Sequence, residues 1–196
     1  MTNLQKIIII GLVFATVVFT YFAALIPFAK STAYINAVRG SQKIKSVEEF
    51  KKNFDAVFSF FSPVGGEEVV KFLSSDILTL INQGAANELI SLLIVEYIEP
   101  KLFPNNVRHM ITGARMYEIL WNRYQKEEYF KKAETYYLQA YKIGPQLPPV
   151  LYGLVGIYYP HRDFDKIKPI AEQILAYWPK DDRVKQLLEI IGGISR

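Results

Sequence analysis

The sequence predicts an all-α protein, with an N-terminal transmembrane helix followed by an α-hairpin helical repeat domain. Two observations predict it. Ile7 to Ala29 is a run of 23 residues without a charge. Farther on, residues 117–179 match themselves at a shift of 34. Tyr117 falls on Leu151, Leu120 on Leu154, Tyr124 on Tyr158 and Phe130 on Phe164. Ala133 falls on Ile167, Ala140 on Ile174 and Pro145 on Pro179. Each unit reads as helix, short turn, helix and proline stop. One such pair cannot bury its own apolar face, so neighbouring pairs must stack.

Composition agrees with an ordered, partly membrane-borne chain. Hydrophobic residues make up 51% of the 196, and much of the excess sits in the N-terminal run. The 13 tyrosines and 13 phenylalanines suit helix-pair packing and argue against disorder. The absence of cysteine excludes disulfides and Cys-based zinc sites, and leaves the redox compartment open. Residues 1–100 carry 8 basic and 9 acidic side chains, whereas residues 101–196 carry 15 and 10. That basic excess is small enough for an ordinary solvated face, although an anionic partner or lipid surface would also suit it.

The chain divides into three segments: 1–45, a membrane anchor and juxtamembrane helix; 46–104, a helical packing region; and 105–196, the repeats with a capping helix. In the first, 23 helical residues rise about 35 Å, enough for a hydrocarbon core about 30 Å thick. Lys6 and Lys30 bracket the run, and Pro27 falls at a point where a helix can already close. The rival reading is a cleaved signal peptide with Ser31-Thr32-Ala33 as its site, but the run exceeds the roughly 7–15 apolar residues of such signals. Lys30, Arg39, Lys43, Lys45, Lys51 and Lys52 follow the run, whereas Lys6 and the chain amine precede it. With Met1 as the true start, the positive-inside rule puts the bulk of a single-pass protein in the cytoplasm. If this is the tail of a longer membrane protein, upstream helices would set the topology.

Ser31 to Lys45 continues the helix until it frays near Gly40. Ser46-Val47-Glu48-Glu49 has capping-box form, and Phe50, Phe54, Val57, Phe58 and Phe61 follow at helical spacing. That stripe packs on the helices after it or lies in the membrane interface. Pro63 and Gly65-Gly66 make a turn. Glu67 to Asn82 is a helix ended by Gly84. Ala86 to Ile98 is another, burying Leu89, Ile90, Leu93 and Tyr97. The 34-residue frame fails upstream, where Gln83, Glu96, Glu99 and Ile111 fall on the key positions.

Asn105 or Asn106 caps a helix reaching about Gln125. Glu127 to Ile143 is its partner, stopped by Gly144-Pro145. Pro148 and Pro149 open the next helix, which runs to about Tyr159, and Pro160 to Asp163 turns the chain. Phe164 to Trp178 follows, and Pro169 is tolerable there only in a first turn beginning near Asp165. Asp181 or Asp182 caps a last helix that ends at Gly192-Gly193.

At Tyr117, Leu120, Tyr124, Ala133, Tyr137, Ala140 and Pro145 the first unit resembles the tetratricopeptide repeat (TPR) family. Trp121 departs, since a small residue normally lets the helices approach there. The second unit keeps Leu154, Tyr158, Phe164 and Pro179, with Ile167 and Ile174 for the two alanines and Ala171 for an aromatic. This resemblance implies a TPR-like array whose first helices line an inner groove that receives a protein or peptide partner. More loosely, the transmembrane helix, the Ser-Pro-Val-Gly-Gly-Glu-Glu segment and the Ile-Leu-Ala-Tyr-Trp-Pro ending resemble the C-terminal region of O-antigen ligase or polymerase-like bacterial membrane proteins. That resemblance implies an accessory domain in cell-surface polysaccharide assembly, since catalysis in that family belongs to a polytopic part not found here.

No catalytic constellation is visible, so an enzyme, a cofactor and a metal centre are not expected. His109 and His161 stand apart. His161-Arg162-Asp163 lacks the rest of the kinase signature set. Glu127-Glu128 and Asp181-Asp182 fit helix starts. Lys and Arg are too dispersed for a nucleic-acid site. Tyr117, Trp121, Tyr124, Tyr136, Tyr137, Tyr141, Tyr152, Tyr158 and Tyr159 are either repeat core or groove. The candidate groove residues are Arg115, Trp121, Asn122, Arg123, Lys126, Tyr152 and Tyr159. The bilayer is the expected partner of residues 7–29, and so short an array suits self-association. Three functions are consistent with this: a membrane-anchored scaffold, the accessory polysaccharide domain, or a glycan or lipid binder using the aromatics.

Overall fold

In the computed structural model the chain is 84% helical, with no strand among the described residues. The structure describes residues 2–41, 44, 46–84 and 86–194. Lys43 and Lys45, counted above among the juxtamembrane cations, lie outside them. Contacts group the chain into two compact units, Met1–Leu73 and Ser74–Arg196. The packing region read at 46–104 is shared between them.

Unit 1 opens with α1, Asn3–Thr20, started by a capping box between Thr2 and Gln5. A π-helical segment, Tyr21–Leu25, joins it to α2, Ile26–Ser41. The combined rod, Asn3–Ser41, is long and apolar enough to cross a membrane, and its most apolar stretch is not buried. As the sequence predicts, the helix frays only near Gly40, ending at Ser41, and so runs through Pro27. The π turn just before it widens the backbone where the proline ring would meet a carbonyl.

α3, Val47–Ser59, starts at Ser46, whose hydroxyl accepts the Glu49 amide at 3.1 Å. Phe54 and Val57 are buried and Phe50 and Phe58 half-buried. Phe61 lies beyond the helix end and is 70% exposed, so the stripe lacks its last predicted member. The helix packs on α2, which precedes it. The Tyr34 ring lies 6.3 Å from Phe54 and 6.4 Å from Phe72 of α4, Gly66–Gln83. Phe54, Val57, Val69, Val70 and Leu73 form the small core of the unit.

Unit 2 holds the rest of α4 and α5 to α10. α5, Glu88–Ile98, is capped by Asn87. Its buried face differs from the prediction: Leu89 is 64% and Ile90 38% exposed, while Ser91, Ile94, Val95 and Ile98 turn inward with Tyr97. Apolar residues cover α5 nearly all round, so spacing alone selects no face. α6, Val107–Tyr124, is capped by Asn106, which accepts the amides of Arg108 and His109, and ends on left-handed Gln125. α7, Glu127–Ile143, has the predicted bounds. It runs antiparallel to α6, since Trp121 meets Phe130 at 5.3 Å and Tyr117 stacks on Tyr136 at 6.0 Å.

α8, Pro148–His161, carries the two prolines at its start as predicted, but continues through Pro160 instead of turning there. In the last turn a proline costs only one terminal hydrogen bond. The left-handed residue that ends this helix is Arg162. α9, Phe164–Tyr177, places Pro169 past the first turn, contrary to the condition set by the sequence. Buried Ile167, Ala171 and Ile174 hold the helix across it. α10, Asp182–Ile194, is capped by Asp181 and runs on through Gly192-Gly193. α7 packs on α8, α8 on α9 and α9 on α10.

Candidate functional site

Three adjoining clefts form a trough across unit 2. The first, about 440 Å³, lies between Leu78, Thr79, Asn82 and Gln83 of α4 and Arg115, Glu118, Ile119 and Asn122 of α6. The second, about 310 Å³, shares Arg115 and Glu118 and continues past Tyr137 to Pro149, Tyr152 and Gly153 of α8. The third, about 800 Å³, shares Tyr152 and is closed by Tyr177, Trp178 and the start of α10.

The floor is held by tyrosines bonded to carboxylates. The Tyr137 hydroxyl donates to Glu118 at 2.7 Å. Burial, then the Glu118 charge, pushes that phenol well above its usual range, so it remains a neutral donor. The Tyr152 hydroxyl donates to Asp181, and this bond leads the causes that hold the Asp181 carboxyl below its ordinary value. Tyr152 and Trp178 present adjacent rings, 6.3 Å apart and 31° from parallel. Gly153 is required here, because a Cβ at that position would overlap the Tyr137 ring.

Chemically the trough offers an exposed guanidinium at Arg115, side-chain amides at Asn82 and Asn122, and an apolar aromatic end at Tyr152 and Trp178. Amides that both donate and accept match peptide units, and a guanidinium matches a carboxylate. No cluster of metal-ligating side chains exists among the described residues.

Of the predicted groove residues, Arg115, Asn122 and Tyr152 come together in this trough. The other four do not. Trp121 is 5% exposed and packs on Phe130 and His161 as core. Arg123 donates to the Asn82 carbonyl at 3.1 Å, covering the end of α4. Lys126 pairs with Glu88 at 2.6 Å. Tyr159 is 46% exposed with its ring against Phe164. Glu118 was missed, although it stands three residues after Arg115 and so shares its helix face. The sequence marks Trp178 only as the end of a helix.

Both histidines are packed against neighbouring side chains and backbone in unit 2. His109 is 2% exposed and its Nδ1 accepts the Phe103 amide at 3.0 Å. His161 stacks on Phe130 at 3.9 Å and 8°, with Glu127 3.2 Å from its Nε2.

No family model matches the chain, and no curated protein or solved structure matches it.

Proposed function

We propose that the protein is a membrane-anchored, TPR-like scaffold whose trough holds an extended segment of a partner protein. The observation that carries this reading is the continuity of the trough, with one cleft handing Arg115 and Glu118 to the next and Tyr152 to the last. A channel of that length suits a strip of peptide better than one small molecule.

Burial supports the 34-residue register. Leu120 and Leu154 are each 1% exposed, and Ala133, Ile167, Ala140 and Ile174 are fully buried. The α6–α7 and α8–α9 pairs meet side by side through α7 and α8, with Phe130 6.4 Å from Tyr158. Trp121 takes the place of a small residue, and its ring fills space against Phe130 and His161. The exposed apolar rod supplies the anchor, with the repeat domain on the cytoplasmic side by the charge rule.

Site-directed photo-crosslinking in native membranes tests this reading. A photoreactive residue at Asn122 or Tyr152 is expected to give one discrete protein adduct that Arg115→Glu abolishes. The same probe at Lys131, exposed on α7, is expected to give none. Equal adducts from both faces would overturn the reading.

A second reading, an accessory domain in polysaccharide assembly, draws on the paired rings of Tyr152 and Trp178, a surface on which a sugar would stack. Titration with cell-surface glycans, following the fluorescence change lost in Trp178→Phe, separates the two.

A further inference from the structure

We propose that the connection between α3 and α4 is a second membrane contact, inserting Phe60, Phe61 and Val64 into the headgroup–acyl boundary beside the N-terminal helix. The proposal rests on reading that helix as an anchor, and adds how the rest of unit 1 is held against the bilayer.

The course of the three helices places this connection. α3 runs back along α2: Asn53 donates to the Ala37 carbonyl at 2.8 Å, Phe54 lies by Tyr34, and the Phe60 carbonyl reaches Lys30 at 3.1 Å. α4 then runs the other way, with Gly66 beside Lys30 and Phe72 beside Tyr34. The turn between them is therefore the part of the α3–α4 pair closest to the apolar rod, at the level of Lys30. Lys30 is the first charge after Ile7–Ala29. That run, about 35 Å as helix, spans a core of about 30 Å, so Lys30 marks the boundary.

Lys30 itself behaves unusually. A lysine at the end of a membrane helix normally extends its ammonium to water. Lys30 is instead 7% exposed and donates to the Phe60 carbonyl, which fixes the turn at this depth. The turn carries the side chains that such a depth favours. Ser59 to Gly66 contains no charge. Phe61 is 70%, Val64 57% and Phe60 37% exposed. Turns at a water surface are rich in polar residues, whereas exposed aromatics and aliphatics on one short segment suit burial of about 5–10 Å into the interface.

The chain has no cysteine, so single nitroxide labels report without background. The full chain, reconstituted in phosphatidylcholine and phosphatidylglycerol vesicles, carries a label at Phe61→Cys or Val64→Cys. Phe19→Cys in the rod and Lys52→Cys on the exposed side of α3 give the lipid and water references. The oxygen-to-nickel-chelate accessibility ratio at Phe61 and Val64 is expected to exceed that at Lys52 by at least about threefold, approaching Phe19. Ratios at Phe61 and Val64 equal to Lys52, with Phe19 still reading lipid, would overturn the second contact and leave the anchor standing. A water-like ratio at Phe19 would overturn both.

Discussion

The Tyr117 hydroxyl of α6 donates to Glu99 Oε2 at 2.6 Å, just past the end of α5. Tyr136 at 3.0 Å and Lys132 at 2.7 Å, both on α7, donate to the other oxygen of the same carboxylate. One side chain thus ties three helices. Glu88 repeats the arrangement, accepting from Tyr129 at 2.7 Å beside Lys126. Glu134 does so again with Tyr158 at 2.9 Å and Lys166 at 2.8 Å.

Burial alone would raise the Glu99 carboxyl, but the bonds from Lys132, Tyr117 and Tyr136 together hold it below the ordinary value of 4.5. A carboxyl lowered by folding stabilises the fold above its unfolded value, and that contribution is lost as pH falls through the lowered folded value. Glu99→Gln is expected to cost about 2 kcal/mol at neutral pH. Its stability should also fall less steeply than the wild type's on acidification below 4.5. Urea melts of both proteins at neutral and acidic pH read the difference. Parallel profiles would contradict the role of Glu99.

Gly153 exists to admit Tyr137. Gly153→Ala places a methyl group in the ring's space, and overpacking of this kind costs about 1–3 kcal/mol. In a Tyr137→Ala background the same substitution is expected to cost almost nothing. A double-mutant cycle by chemical denaturation measures the coupling. Additive effects would show that the glycine serves another purpose.

Pro169→Ala is expected to stabilise the protein. The proline is exposed and lies inside α9, where its missing amide breaks one turn. Alanine restores that bond and the better propensity, a gain of about 1–3 kcal/mol. A higher urea midpoint with an unchanged slope is the expected readout. A lower midpoint would mean that the irregular turn is part of the native packing.

Much of this architecture was legible in the residues. Glu127-Glu128 and Gly144-Pro145 bound α7 by local chemistry alone, and α7 has those bounds. The uncharged run from Ile7 marked the exposed rod. Proline misleads at two places: Pro160 predicts a turn and Pro169 a first-turn position, yet α8 runs through Pro160 in its last turn and buried Ile167, Ala171 and Ile174 hold α9 across Pro169. Face selection failed on α5 because nearly every residue from Leu89 to Ile98 is apolar. The site was only half legible. Arg115 and Asn122 share a face that helical spacing reveals, but Trp121 lies between them in sequence and turns inward. The pairings of Tyr137 with Glu118 and of Tyr152 with Asp181 cross between helices, so no local pattern announces them.

The most direct test of the scaffold reading is the affinity of the crosslinked partner segment, as a synthetic peptide, for the full chain in detergent, measured by calorimetry. Asn122→Ala and Tyr152→Ala are each expected to weaken binding about tenfold or more, as loss of a central contact does, while Lys131→Ala leaves it unchanged. Wild-type affinity in both trough variants, or equal loss in all three, would contradict the assignment of the trough as the binding surface.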